Sequence, residues 1–210
     1  MRARVLALLL CWPFALLATP DRAEDIDPIA VGTPLPDVQV QTIEGASIGA
    51  REALAGMPTV IVFFRGGWCP YCNRQLAELR LIQDDLAALG YRLVAVSPDR
   101  PESLREGLNK TPVDYRLLSD AAARLIRALG IAFRVDDATI EQYKGYGIDL
   151  EAASGHDHHL LPVPTVLLVD TGGVIRYRYS NADYKVRMDP DALLSVAASL
   201  RGEQANTDGQ

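Results

Sequence analysis

Cysteine is scarce in this chain: three in 210 residues, too few for the disulfide framework that holds small exported domains together. Histidine is as scarce, and all three copies fall in one short stretch, "GHDHH", residues 155–159. Positive charge is not in excess, since 21 Lys and Arg stand against 27 Asp and Glu for a net charge of −6, which argues against a nucleic-acid surface. Internal repeats are absent. Long apolar runs are also missing, with one exception at the N-terminus.

There, Met1-Arg2-Ala3-Arg4 precedes an almost wholly apolar stretch of about 13 residues, 5–17, too short to cross a bilayer comfortably and shaped like a secretory signal. Cleavage is expected after Ala18 or Ala23, giving an exported, periplasmic protein that meets the membrane only if the segment is retained. Cys11 lies inside the run behind three leucines, where a lipoprotein signal has a small residue. Loss of residues 1–23 removes three basic and one acidic residue, so the net charge moves from −6 to −8. Only Cys69 and Cys72 then remain. With 49% hydrophobic residues, 24–201 suffices for one domain with its own core, and 202–210 reads as a disordered tail.

Periodicity gives an α/β order. Residues 38–43 alternate apolar and polar before Glu44-Gly45, an edge hairpin. "TVIVFF" (59–64) is a strand buried on both faces. Leu76, Leu79, Ile82, Leu86 and Leu89 recur at helical spacing across 74–89, with Gly90 as the stop. A strand at 91–97, a helix at 101–110, a strand at 115–120 and a helix at 121–129, capped by Asp120 and ended by Gly130, complete an alternation that implies parallel strands covered by helices. Between 135 and 161 the pattern weakens into a partly helical insertion or long loop. "PTVLLVD" (164–170), the turn "TGG" and "VIRYRYS" (174–180) form a late hairpin, and Asp189-Pro190 opens a last helix through residue 200. The sheet is therefore mixed.

The chemistry centres on "FFRGGWCPYCNRQL" (63–76). A C-x-x-C after a buried strand and at a helix start puts Cys69 among free backbone N–H groups at the positive end of the helix dipole, where a thiolate is stabilised. Cys72, one turn on, lies on the same side, so the two can close a small disulfide ring. Pro70 at the first helical position costs no hydrogen bond, and Trp68 and Tyr71 can shield the pair and shape a substrate surface. Two other readings stand beside the redox one: packed structural thiols, or half of a metal site, for which His156, His158 and His159 are the available partners. Arg65 and Arg74 flank the motif and can raise the local potential there, although solvated arginines are ordinary at such positions. Asp99, in a Ser-Pro-Asp turn after the 91–97 strand, reads as a helix-starting turn rather than a catalytic group.

Taken together, "VGTPLPDV", "FFRGGWCPYCNRQL", "LPVPTVLLVD" and "NADYKVRMDP" resemble the alkyl hydroperoxide reductase / thiol-specific antioxidant proteins, specifically peroxiredoxin-like members of the thioredoxin-fold superfamily. The resemblance implies a thioredoxin-like fold with an N-terminal hairpin and an insertion before the late strand, and catalysis by Cys69 and Cys72 without organic cofactor or required metal. It implies a cis bond before Pro164, with Val163 free to pair with an extended substrate, and Arg187 approaching the cysteines to stabilise a thiolate or bind peroxide. The substrate is then a hydroperoxide or a protein disulfide, and the electron donor a thioredoxin-like or other thiol.

One departure matters. The family's Pro-x-x-x-Thr-x-x-Cys pattern, with its cysteine set on Cys72, has Cys69 at the Thr position and Arg65 at the Pro. Peroxide reduction and thiol-disulfide exchange both remain open on these residues, as does which cysteine attacks. A carrier binding copper through Cys69, Cys72 and a histidine is a third expectation, of a different class.

Overall fold

The structure, a computed structural model, describes residues 19–54, 56–109 and 112–208. The apolar leader and Cys11 lie outside them. Within them, "TVIVF" forms β3 (Thr59–Phe63), every residue of which is buried. Its side chains alternate between two cores, as the pleat requires. Ile61 and Phe63 pack with Leu125, Ile126 and Leu129 on one face, while Val60, Val62 and Phe64 pack with Leu76, Leu79, Leu86, Leu193 and Ala197 on the other.

Around β3 the elements run β1 (Gln39–Thr42), β2 (Ser47–Gly49), α1 (Ala50–Leu54), then α2 (Pro70–Leu81), α3 (Gln83–Ala88), β4 (Arg92–Ser97), α4 (Pro101–Leu108), β5 (Arg116–Ser119) and α5 (Arg124–Ala128). After them come β6 (Ala132–Arg134), α6 (Asp137–Gly145), α7 (Leu150–Ser154), β7 (Leu160–Pro162), β8 (Thr165–Val169), β9 (Ile175–Ser180) and α8 (Pro190–Asp208). One seven-stranded sheet has the order β2-β1-β5-β4-β3-β8-β9. β3, β4 and β5 are parallel, whereas the β1–β2 hairpin and the β8–β9 hairpin add antiparallel flanks at opposite edges. The mixed α/β sheet with an N-terminal hairpin is the expected one.

Local differences have local causes. The 74–89 helix is two, because Ile82 leaves helical geometry at φ −105°, ψ 6°. Its apolar face survives the break, and Leu76, Leu79, Ile82 and Leu86 are all buried. Asp120 does cap α5, but its carboxylate reaches the N–H groups of Arg124, Leu125 and Ile126, so the helix starts at Arg124 after a turn through Ala123 at φ +54°. Gly130 ends that turn of chain at φ +66°, with the Asp27 carbonyl where a Cβ would stand. The segment expected as a partly helical insertion or long loop is the former: it holds α6 and α7 and is enclosed by β6 and β7, which form a separate antiparallel pair. The stretch from residue 202, expected as a disordered tail, continues α8 to Asp208.

Candidate active site

β3 ends at Phe63, but the Phe64 N–H still bonds the Val96 carbonyl of β4, which delivers the next residues to the C-terminal edge of the sheet. Gly66 at φ +157° is required there: a Cβ would stand 2.2 Å from Trp68 Nε1 and 2.8 Å from Asp99 Oδ1. Cys69 then caps α2, with its Sγ accepting from the Cys72 N–H at 3.4 Å, and Pro70 opens the helix. Both thiols are free and almost fully buried, Cys69 at 2% and Cys72 at 0% exposure.

Arg187 arrives from the loop between β9 and α8. Its Nη2 lies 3.3 Å from Cys72 Sγ, its Nη1 donates to Gln75 Oε1 at 2.9 Å and its Nε to the Tyr184 carbonyl at 2.8 Å. The guanidinium is thereby aimed. Burial acts to raise the Cys72 thiol, but the hydrogen bond from Cys69, the charge of Arg187 and the Arg65 backbone N–H outweigh it and leave the thiol at about 6. Cys69 moves the other way, because its S–H donates to Cys72 and burial adds to the effect. One proton thus resides on Cys69 and the charge on Cys72.

Asp99, which follows β4 at the end of the sheet where α/β folds place their sites, is part of this construction although its turn reads equally as a plain helix start. Its carboxylate is 2% exposed and accepts the Gly67 N–H at 2.7 Å. Burial pushes it up to about 7, against the pull of the Gly67 N–H and the Trp68 indole and with the help of the Cys72 charge. Asn73 ties the same loop from above, its Nδ2 donating to the Gly67 carbonyl at 2.9 Å. A hint was available in the two adjacent glycines, which need something to hold them.

Several expectations change. Of the two readings of Arg65, the solvated one does not hold: it is 4% exposed, its guanidinium lying 4.3 Å from the Tyr184 ring centre, 5.5 Å from Trp68 and 5.6 Å from Tyr143. Arg74 is exposed, over the Tyr71 ring. Tyr71 meets Tyr184 edge to face at 5.6 Å, and Trp68 lies 5.7 Å from Tyr143. The bond before Pro164 is trans, for no cis peptide occurs among the described residues; trans is the preferred isomer of an X-Pro bond. Val163 is fully buried; its N–H donates to the Ile131 carbonyl and its own carbonyl accepts from Thr165 Oγ1, so its N–H is not free to pair with a substrate. Pro164 lines a cleft with Arg65, Tyr143 and Tyr184, a cleft that neither cysteine lines.

The histidines are used elsewhere. His158 bonds the Ala121 carbonyl through Nε2 and the Leu160 N–H through Nδ1, and its ring stacks on His156. His159 Nε2 pairs with Glu151. Among the described residues no three His, Cys, Asp or Glu side chains are grouped to hold a metal, which removes support from the copper-carrier expectation.

Fold and site define a thioredoxin-fold protein with a buried, arginine-attended dithiol. The chain belongs to the AhpC/TSA family, whose model matches residues 31–178. It is similar to peroxiredoxin bcp1 of Schizosaccharomyces pombe, with 29% identity over 116 residues covering 55% of this chain and 60% of that protein. It is also similar to peroxiredoxin Bcp of Escherichia coli, with 24% identity over 106 residues covering 50% and 67%. The fold matches reduced Prx3 of Vibrio vulnificus in complex with H2O2 at TM-score 0.66, 18% identity, over 80% of this chain and 99% of that one. It matches peroxidoxin BcpB of Mycobacterium tuberculosis at TM-score 0.62, 18% identity, over 83% and 97%.

Proposed function

We propose that this protein reduces hydroperoxides, with Cys72 as the attacking thiolate and Cys69 as the resolving thiol. The observation that carries the reading is the 3.3 Å approach of Arg187 Nη2 to Cys72 Sγ in a chain of the AhpC/TSA family. A guanidinium there favours the thiolate and offers N–H groups to a peroxide oxygen. Cys72 Sγ attacks one peroxide oxygen, the O–O bond breaks, and the other oxygen leaves as alkoxide and takes a proton. Cys72 is left as a sulfenic acid. Cys69, deprotonated, attacks the Cys72 sulfur and expels hydroxide, which leaves as water, giving the Cys69–Cys72 disulfide. Two thiols of an external donor, thioredoxin-like or smaller, then return two electrons.

Exchange with protein disulfides is the alternative, and the same dithiol suits it. The internal use of the Val163 N–H favours the peroxide reading, since an extended protein substrate would lack that donor to pair with. Export through residues 1–23 belongs to the proposal as well. Cleavage after Ala18 keeps the bond from the Arg134 N–H to the Pro20 carbonyl, whereas cleavage after Ala23 removes it.

The test is the second-order rate of hydrogen peroxide consumption by the reduced protein and its Cys69→Ser and Cys72→Ser variants. A wild-type rate at least about a hundredfold above free cysteine is expected, retained for one turnover by Cys69→Ser and lost in Cys72→Ser. A rate equal to free cysteine would sink the peroxidase reading and leave disulfide exchange.

A further inference from the structure

Arg65 is 4% exposed and has no ion-pair partner among the described residues. Its side chain makes one hydrogen bond to them, donated from Nη2 to Tyr143 Oη. Nε is enclosed without an acceptor, and Nη1, which has no acceptor either, is not enclosed. Taking a guanidinium out of water is costly unless an anion or several acceptors meet it. The rings of Trp68, Tyr143 and Tyr184 around it return only part of that cost. The charge is held in place without its complement.

Arg65 lines a cleft of about 270 Å³, at the small end of the range for organic ligands. The walls come from three distant parts of the chain: residues 21–24, the β6–α6 stretch with Phe133 and Tyr143, and Pro164 with the loop that carries Tyr184. Phe133, Pro164 and the tyrosine rings give the cleft an apolar body, and Arg65 gives it a donor. Most other charges at the rim are engaged. Glu24 pairs with Arg22, the Asp136 carboxylate accepts from the Thr139 N–H and hydroxyl, and Arg134 Nη1 donates to the His158 carbonyl at 3.4 Å. Asp21 is exposed at the rim, and its charge disfavours a ligand that carries a second negative charge.

We propose that this cleft is a binding site for a small monocarboxylic acid, separate from the dithiol, with the carboxylate on Arg65 and an apolar body against Phe133, Tyr143 and Pro164. The planar fork of a guanidinium matches the two oxygens of a carboxylate, and the N–H groups of Nη1 with the second of Nη2 are left to make that pair. A phosphate brings extra charge against Asp21, and a neutral amide leaves the guanidinium without a counter-ion. Tyr184 stands between the two sites. Its ring lies 4.3 Å from the Arg65 guanidinium, while its carbonyl accepts from Arg187 Nε at 2.8 Å. Neither thiol takes part in the binding, so the assignment does not depend on the peroxidase reading.

Benzoate is the probe, with benzamide as its neutral counterpart and inorganic phosphate as the other anion. Each is titrated into the reduced, isotopically labelled protein while backbone amide shifts are followed by NMR. Benzoate is expected to saturate with a Kd of about 1 mM or tighter, moving the amides of Val135, Thr139, Tyr143 and Ala182 most. Benzamide and phosphate should bind at least about tenfold more weakly, and Arg65→Met should weaken benzoate by at least about tenfold, the loss of a charge-assisted pair. Arg65→Lys should recover part of that loss, and the Cys69→Ser/Cys72→Ser protein should bind as the wild type does. If Arg65→Met does not fold, by circular dichroism, the comparison of benzoate with benzamide on the wild type decides. Absence of saturable benzoate binding up to about 20 mM, benzamide or phosphate binding as tightly, shifts centred on Cys72 and Arg187, loss of binding in the double serine variant, or unchanged affinity in Arg65→Met each overturns the inference.

Discussion

Two stretches of this chain concentrate residues able to bind metals or act as nucleophiles, and the fold treats them in opposite ways. At the β3–α2 junction, Cys72 is left with an arginine against its sulfur and no covalent partner. In the 155–159 stretch, His158 has both ring nitrogens engaged by backbone groups and His159 is paired with Glu151. The first set keeps a thiol with an arginine beside it; in the second, His158 is held at both ring nitrogens by the backbone of Ala121 and Leu160, while His159 Nδ1 is buried with no hydrogen-bond partner among the described residues. Density of reactive residue types therefore says little about chemistry until their hydrogen bonds are counted.

Changes at the two places should separate them. The largest effect is expected from Arg187→Met, which should raise the Cys72 titration midpoint above its value of about 6 by about one to two units and slow the peroxide step about ten- to a hundredfold at pH 7. Ultraviolet thiolate absorbance against pH and stopped-flow rates would check it, and an unmoved midpoint would remove Arg187 from the reaction. In the wild type the same depressed thiol makes the peroxide step rise with pH through about 6 and level off above it.

Asp99→Asn comes next. A carboxyl raised to about 7 in the folded state from 3.8 contributes stability that is complete below the unfolded value and lost as pH rises through the folded one. The variant should therefore flatten part of the decline in stability between pH 4 and pH 8, a difference on the order of 2 kcal/mol, in urea titrations at the two pH values. Asp120, which burial pushes up to about 6, keeps its share. An undiminished decline would show that Asp99 is not the group being titrated.

The histidine stretch should respond in stability alone. His158→Ala removes two hydrogen bonds to buried backbone groups and is expected to cost about 1–2 kcal/mol, with the peroxide rate unchanged. His156→Ala, which loses only ring stacking, should cost less than about 0.5 kcal/mol. A fall in peroxide rate in either variant would break the contrast between the two places.

Much of the frame was legible in advance because its signals are local. The apolar β-branched run of β3, the helical spacing of Leu76, Leu79, Ile82 and Leu86, and the glycine stop at Gly90 each act over a few residues. The Cys69–Cys72 spacing and Pro70 likewise place a thiol at a helix start whatever surrounds it. The misreadings were of other kinds. Arg65 resembles any arginine after a strand until Tyr143 and Tyr184, some 80 and 120 residues away, close over it. Asp99 resembles any helix-starting aspartate until Gly67 comes within hydrogen-bond reach. The expected cis bond at Pro164 came from resemblance, and nothing in "VPT" itself selects the isomer.

The amino-acid sequence by itself determined the alternation of strands and helices, the two faces of β3 and the presence of a dithiol at a helix N-terminus, because those follow from periodicity and from backbone groups adjacent in the chain. Only the tertiary structure decided which thiol carries the charge and which histidines are occupied. Those outcomes depend on burial and on partners such as Arg187, 115 residues from Cys72, and charge interactions weaken with distance in space, not with separation along the chain.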